Sequence, residues 1–367
     1  MLAQPWEWEV EGVRELGRRR VRTGEVPRDR EPIGFGKARR MSSGVSAMSV
    51  ATPTIPRMQA TAELTPAQRR TLDGLIGTDE RPVFAVDGVL RVRDRIEEAA
   101  RAFEPPAPLW LGKSNLSDLH RCPGLFDAVR AGERAPFAFS ARTAAGRLAH
   151  KAIELEVAGR EERDPHELVE HAAERLTEDG AFSAYWGGLD ALHRDENLMD
   201  AAKTLELFRS TMPPLRQMRR ELAPSTEWHV RVELLGGTVV LSGQLDLVLG
   251  SGRADGAARA TRLAIDLKTG RAWPEHAEDM RFYALLLGLR FGIPPYRVAT
   301  LYLDSGEWQA EDVDERVLDR AADRVIEAIR AAAASAAGRP TPLTPGPYCT
   351  WCPRSLTCPS SAARQPA

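Results

Sequence analysis

Four cysteines divide one and three along the chain. Cys122 stands alone in Leu119–His120–Arg121–Cys122–Pro123; Cys349, Cys352 and Cys358 follow more than two hundred residues later as C-x2-C-x5-C. A four-thiolate metal site requires such a set: two ligands close in a tight turn, a third on the next turn, and a distant fourth that closes the chain into a loop. The end of the chain is then tied to its middle, and whatever lies between is held. Two structural disulfides, or four unrelated buried thiols, are the alternative. A C-x-x-C spacing in a chain that shows no signal peptide favours metal or redox work in a reducing, cytoplasmic compartment. Zinc and an iron–sulfur cluster both accept four thiolates, and the spacing does not choose between them.

With 367 residues, 43% of them hydrophobic, the chain can bury a substantial core. Its formal net charge is −2, so any nucleic-acid contact must use a local basic groove. No apolar run approaches a membrane span, and no G-x-x-x-x-G-K-[ST] occurs, so neither a membrane anchor nor an ATP motor is expected. Residues 1–60 mix Arg18–Arg19–Arg20, Arg28, Arg30 and Arg39–Arg40 with Gly, Ser and Pro and lack an apolar period; they read as a solvated tail or a basic arm. Met41, Met48 and Met58 are alternative starts that would make this stretch an artefact of gene calling. Order is expected from Thr65–Pro66–Ala67–Gln68, a capping box with proline at the first helical position. Its helix carries Leu72, Leu75 and Ile76 and ends at Gly77. A second helix spans about Val89 to Phe103, and Pro105, Pro106 and Pro108 then break the chain. Residues 61–110 thus read as a helical segment ahead of the main domain, 111–360, with 361–367 as a tail.

The middle of the chain turns to strands. Glu227 to Leu235 and Thr238 to Leu249 flank Gly236–Gly237, a hairpin signal. A loop from Gly250 to Thr261 leads to a third strand, Arg262 to Lys268. Helical spacing returns at Met280, Tyr283, Leu286 and Leu287, a strand follows at Tyr296 to Asp304, and an alanine-rich helix runs from about Asp314 to Ala337. The expected fold is α/β: helix, three antiparallel strands, helix, strand, with flanking helices and a C-terminal cysteine staple.

Within these strands Gln244, Asp246 and Val248 share a face while Leu245, Leu247 and Leu249 fill the other; Asp266 and Lys268 likewise stand opposite Leu263, Ile265 and Leu267. Two adjacent apolar-backed strands therefore each project a carboxylate, with a lysine two residues after the second. Converging carboxylates suit Mg²⁺ or Mn²⁺. A lysine beside them can hold a nucleophilic water or stabilise developing charge. A surface salt bridge is the plain alternative, but a charged triplet in strands this apolar is costly unless it binds something. His150 lies on a helix ending near Gly159, on one face with Gly146, Ile153 and Val157. It reads as a metal ligand once the carboxylates are considered, and as a packed core residue without them.

These residues resemble the PD-(D/E)XK nuclease superfamily, specifically its RecB-like exonuclease branch. Ser114–Asn115–Leu116–Ser117 and Cys122–Pro123 resemble its opening segment, Gly146 and His150 its G-x-x-x-H helix, and Gly243 to Asp246 its G-x-x-D. Asp266–Leu267–Lys268–Thr269–Gly270 resembles its D-x-K-T-G, and Tyr283 the tyrosine of its Q-x-x-x-Y. The resemblance covers about residues 111–360. It implies a restriction-endonuclease-like core in which His150, Asp246, Asp266 and the Leu267 carbonyl hold Mg²⁺ or Mn²⁺. By the same resemblance Lys268 orients water or stabilises charge, and Tyr283 positions the lysine side of the site or the DNA. Cys122, Cys349, Cys352 and Cys358 would hold a [4Fe–4S] cluster, with Zn²⁺ as the lesser alternative. The implied activity is metal-dependent exonucleolytic hydrolysis of DNA, single-stranded DNA above all, in repair or recombination, with a separate helicase subunit as partner. Trp110, Trp228 and Trp273 could offer stacking faces but are expected to pack in the core.

One position departs from the pattern. Asp279 stands where the motif has glutamine, and a carboxylate cannot donate as an amide does. His276 and Arg281 lie nearby, and neither is expected to replace it. Two other readings stand beside the nuclease: an iron–sulfur DNA-binding or scaffolding protein with weak or lost catalysis, and a zinc-stabilised structural domain with a fortuitous D-x-K.

Overall fold

The computed structural model describes residues 64–77, 81–133, 137–251 and 259–361. The expectations for residues 1–60 and for 362–367 lie outside this range. The first helix forms as its sequence dictates: Thr65 caps α1 (Pro66–Arg70) by accepting the Gln68 amide, and the Gln68 side chain returns the bond to the Thr65 amide. The helix widens into a π turn at Thr71–Ile76 and stops at Gly77, which takes φ 69. Next comes α2 (Val86–Phe103). This segment is no separate layer. Tyr296 donates to the Ile76 carbonyl at 2.8 Å, and Arg95 pairs with Asp319 and Asp323 on the last long helix.

A three-residue strand absent from the sequence reading, β1 (Leu109–Leu111), then leads into α3 (Lys113–Arg121) and α4 (Pro123–Arg130). The helix expected around Gly146 and His150 follows as α5 (Ala141–Ala158), whereas α6 (Pro165–Leu176), α7 (Gly180–Gly187), α8 (Ala191–Thr211) and α9 (Arg219–Leu222) were unread from sequence. Side chains of Asp164, Asp179 and Asp190 cap three of them.

The sheet is built on β3 (Val239–Leu249), the longest strand. β2 (Ser225–Leu234) runs antiparallel along one edge, turning through Leu235–Gly236–Gly237, all at positive φ. The other edge is shared. β1 pairs in parallel with residues 239–241, and β4 (Leu263–Lys268) pairs antiparallel with residues 247–249. Between them, residues 242–246 of β3 have no strand on that side among the described residues. β4 continues in parallel to β5 (Arg297–Tyr302), and β5 in a hairpin to β6 (Glu307–Asp312), an edge strand also missed in the sequence and rich in acidic residues, which discourage further pairing. The expected order of three antiparallel strands, helix and strand holds for β2, β3, β4, α10 (Glu275–Phe291) and β5.

α10 crosses the sheet against β2–β5 and lies under α11 (Glu315–Ala336). It is therefore buried almost all round from Met280 to Leu289. Each such leucine side chain removed from water contributes roughly 1.5–3 kcal/mol. α11 keeps one stripe inward, Val317, Leu318, Ala321, Ala322, Val325, Ala328 and Ile329, whose small members allow close approach to α2 and α10.

Candidate active site at the strand fork

The open stretch of β3 is where the chemistry gathers. Extrapolated register sets Asp246 opposite Asp266, but the β3–β4 ladder stops at Leu247 and Ile265. Past that point the strands part. The main-chain N–H of Leu267, which a continued ladder would give to the Leu245 carbonyl, donates instead to Asp246 Oδ2 at 2.7 Å. β1 points into the same gap from the opposite direction, so Lys113, two residues past its end, meets the end of β4 there.

Asp266 is buried, 2% exposed, and both its oxygens are held by lysines: Oδ1 by Lys113 Nζ at 3.1 Å and Oδ2 by Lys268 Nζ at 2.6 Å. Burial works to raise its pKa, yet the two ammonium groups outweigh that and hold the carboxyl well below the usual range. Lys113 was not read from the sequence. No spacing rule connects it to the D-x-K strand; only the shared edge of β3 does.

On the other side of Asp246, His150 Nδ1 lies 3.6 Å from Asp246 Oδ1. Burial alone would depress the imidazolium, but the Asp246 charge and hydrogen bond, helped by Glu227, leave its pKa raised. His150, Glu227 and Asp246 offer ligand atoms that all lie within 4.8 Å of one another, the one such group of three among the described residues. Glu227 is pushed up to about 7, by burial first and then by the facing Asp246. An imidazole and two crowded carboxylates, one of them reluctant to ionise, fit a divalent cation, which would relieve that repulsion.

The motif glycines have local reasons. A Cβ on Gly243 would stand 2.7 Å from Tyr283 Cε1, so the tyrosine ring lies on β3 only because residue 243 has no side chain. A Cβ on Gly146 would stand 2.9 Å from Thr269 Oγ1, so α5 can approach the end of β4 closely enough to deliver His150. Residues three apart on a strand face opposite ways. Gly243 thus meets α10 on one face of the sheet while Asp246 meets α5 on the other. Tyr283 is fully buried, and its hydroxyl donates to the Gln244 carbonyl at 2.5 Å. That contact positions β3. Its ring also lies 5.1 Å from Lys113 Nζ.

Asp279 lies inside as well, 7% exposed, accepting from Ser117 Oγ at 3.1 Å. Burial raises its pKa to about 6 despite Lys113 and Lys268 nearby. Neither neighbour replaces the motif amide. Arg281 is bound to Glu311 at 2.8 and 3.0 Å, and His276, pushed down to about 4 by burial and then by Lys268, faces the Tyr302 hydroxyl at 3.1 Å.

The tryptophan expectation needs correction. Trp110 and Trp273 are exposed, at 36% and 38%, each under an arginine: Arg231 at 4.6 Å and Arg271 at 3.9 Å from the ring centres. Only Trp228 is packed, against Phe291 at 5.2 Å.

The four cysteines are free thiols, and all four line one cavity of about 240 Å³ between α4 and the C-terminal segment. Main-chain N–H groups of Thr344 and Gly346 point to Cys122 Sγ and Cys349 Sγ, each at 3.4 Å. Burial, then the other three thiols, raises the pKa of Cys352. The segment has little apolar anchorage of its own; Leu356 is 80% exposed. It is held by Tyr348 donating to the Arg121 carbonyl at 2.7 Å and by Arg354 on Glu133 at 2.7 Å.

A family model described as the PD-(D/E)XK nuclease superfamily matches residues 111–359. A solved structure titled "Crystal structure of SSO0001" is similar at 17% identity over 58% of this chain and 94% of that one, with a TM-score of 0.28, too low to carry an argument. No curated protein matches the chain.

Proposed function

The chain belongs to the PD-(D/E)XK nuclease superfamily, and from that premise we propose a metal-dependent DNA exonuclease of the RecB-like branch, hydrolysing single-stranded DNA in repair or recombination. The observation that carries this reading is the fork itself: His150 and Asp246 meet on one side of the opened ladder, and the Asp266–Lys268 pair stands on the other. His150, Asp246, Asp266 and the Leu267 carbonyl would hold Mg²⁺ or Mn²⁺, which supplies charge stabilisation at the phosphoryl oxygens and a more acidic bound water. To serve as a ligand, Asp266 would give up its contact with Lys113. Lys268, held by Asp266 and almost fully buried, is a fixed cation that orients the attacking water or meets the charge that develops on phosphate. Tyr283 keeps β3 in place beneath them.

Exposed Trp273, a few residues beyond Lys268 and stacked on Arg271, supports a single-stranded substrate, since a base can lie on such a face without sequence readout. The sequence carries no phosphate-binding loop, so strand separation would fall to a separate helicase subunit. For the four cysteines we propose a [4Fe–4S] cluster. All four cysteines line one cavity of about 240 Å³, and main-chain N–H groups already face two of the sulfurs, the kind of contact that tunes such a cluster. Free thiolate chemistry of this kind suits a cytoplasmic location.

The test is cleavage of end-labelled single-stranded DNA with Mn²⁺ or Mg²⁺, by the intact protein and by Asp266→Ala. Metal-dependent cleavage that falls at least about a hundredfold in the variant is expected. Full activity in Asp266→Ala, or no cleavage by the intact protein with either metal, overturns the assignment.

A further inference from the structure

Register across the sheet reveals a row of acids that no single strand shows. Thr226 pairs with Leu247 and Trp228 with Leu245, so a regular ladder would put Glu227 directly opposite Asp246. The β3–β4 register puts Asp266 opposite Asp246 from the other side. Three carboxylates, Glu227, Asp246 and Asp266, thus fall in one line across three neighbouring strands. Like charges opposite one another destabilise a sheet, and the ladder is interrupted on both sides of Asp246.

The two flanking acids are treated differently. Asp266 is matched by Lys113 and Lys268. Glu227 is turned toward Asp246 and His150. Its backbone takes φ 49, a left-handed conformation that a non-glycine residue in a strand adopts only when its surroundings impose it. Gln244 Nε2 donates to Glu227 Oε2 and fixes the carboxylate, and Arg147 on α5 adds positive charge nearby. A strained backbone that delivers a half-buried acid to a second acid and an imidazole is a feature that tends to mark function.

We infer that Glu227 is a further ligand of the divalent cation, so that the ion is held by one helix and by three neighbouring strands of the sheet. The reading rests on the nuclease assignment for the presence of an ion, but not on catalysis. The ligand atoms of His150, Glu227 and Asp246 stand within 4.8 Å of one another. Opposite ligands of one octahedral Mg²⁺ stand about 4.2 Å apart. Hard oxygen donors with one imidazole suit Mn²⁺ or Mg²⁺ rather than a thiophilic metal. No spacing motif in the sequence singles out Glu227, because its partner lies across a hairpin and its orientation depends on the left-handed backbone at that position.

Binding of Mn²⁺ measured by calorimetry, together with melting temperature with and without Mn²⁺, tests this on the full chain with Glu227→Gln and Asp246→Asn. Glu227→Gln should weaken Mn²⁺ binding at least tenfold, and its metal-free form should melt no lower than the intact protein, since the substitution removes repulsion from Asp246. A structural role predicts the reverse: a lower metal-free melting temperature with an unchanged gain from Mn²⁺. That result, or affinity within twofold of the intact protein, overturns the inference. Asp246→Asn should lose binding in either case. An intact protein that binds no Mn²⁺ overturns this inference and the nuclease reading together, whereas binding that depends on Glu227 without any DNA cleavage sinks only the latter.

Discussion

Asp246 accepts the Leu267 amide at 2.7 Å, so a side chain on β3 takes the place of the backbone bond that β3 and β4 lose where they part. One carboxylate therefore has two tasks, one oxygen closing the fork and the other facing His150.

The two tasks separate by substitution. Asp246→Asn keeps an oxygen for the Leu267 amide and loses the charge. It should melt within a few degrees of the intact protein yet lose metal binding and cleavage. Asp246→Ala leaves a half-buried amide unpaired and should cost about 1–3 kcal/mol more. Chemical denaturation of both variants checks this; equal stability of the two would show that the amide bond contributes nothing.

Gly243→Ala should destabilise through the 2.7 Å approach to Tyr283 Cε1. Overpacking of this kind costs about 1–3 kcal/mol. Shrinking the ring relieves it, so Gly243→Ala in a Tyr283→Leu background should cost clearly less than in the intact protein. A double-mutant cycle with zero coupling would place the strain elsewhere.

Asp279 predicts a pH dependence of stability. The folded protein keeps its proton to about pH 6, whereas an unperturbed aspartate releases it near 3.8. Between those values the folded state binds more protons than the unfolded one, so this residue's contribution to stability falls as pH rises from about 4 to about 6 and stays low above. Asp279→Asn retains an acceptor for Ser117 and removes the penalty. It should be more stable than the intact protein by on the order of 1–3 kcal/mol at pH 8, with the difference vanishing near pH 4. Parallel unfolding curves at all pH values would contradict the burial of an ionised carboxylate here.

The cysteines predict a colour and a cleavage pattern. Protein purified without oxygen should be brown, and Cys122→Ser or Cys352→Ser should lose the visible absorption. Because ligation is folding free energy for a segment with so little buried apolar surface, limited proteolysis should then cut residues 339–361 first, with the nuclease core following later. A colourless, zinc-containing protein of full activity would keep the four-thiolate site and overturn the cluster.

Much was legible in the sequence because it is local. The Thr65 cap, the Gly236–Gly237 turn, the alternation in β3 and β4, and the helix that carries Gly146 and His150 each follow from neighbours a few residues apart. Their order along the chain was enough to suggest the superfamily. The helical spacing of Met280, Tyr283, Leu286 and Leu287 likewise announced α10, and the run of alanines announced α11.

What the sequence could not decide is set by register across strands far apart in the chain. β1 and β4 share one edge of β3, and only that arrangement brings Lys113 to Asp266, 153 residues away. A ladder that stops at Leu247 turns the Asp246 side chain into a partner for Leu267, and a left-handed backbone at Glu227 aims a third acid at His150. Composition and spacing fix which groups are present and which faces they occupy. Whether a buried charge meets a lysine, a histidine or another acid depends on how the strand ends part, and that is decided by packing α5 and α10 on opposite faces of the sheet through two glycines.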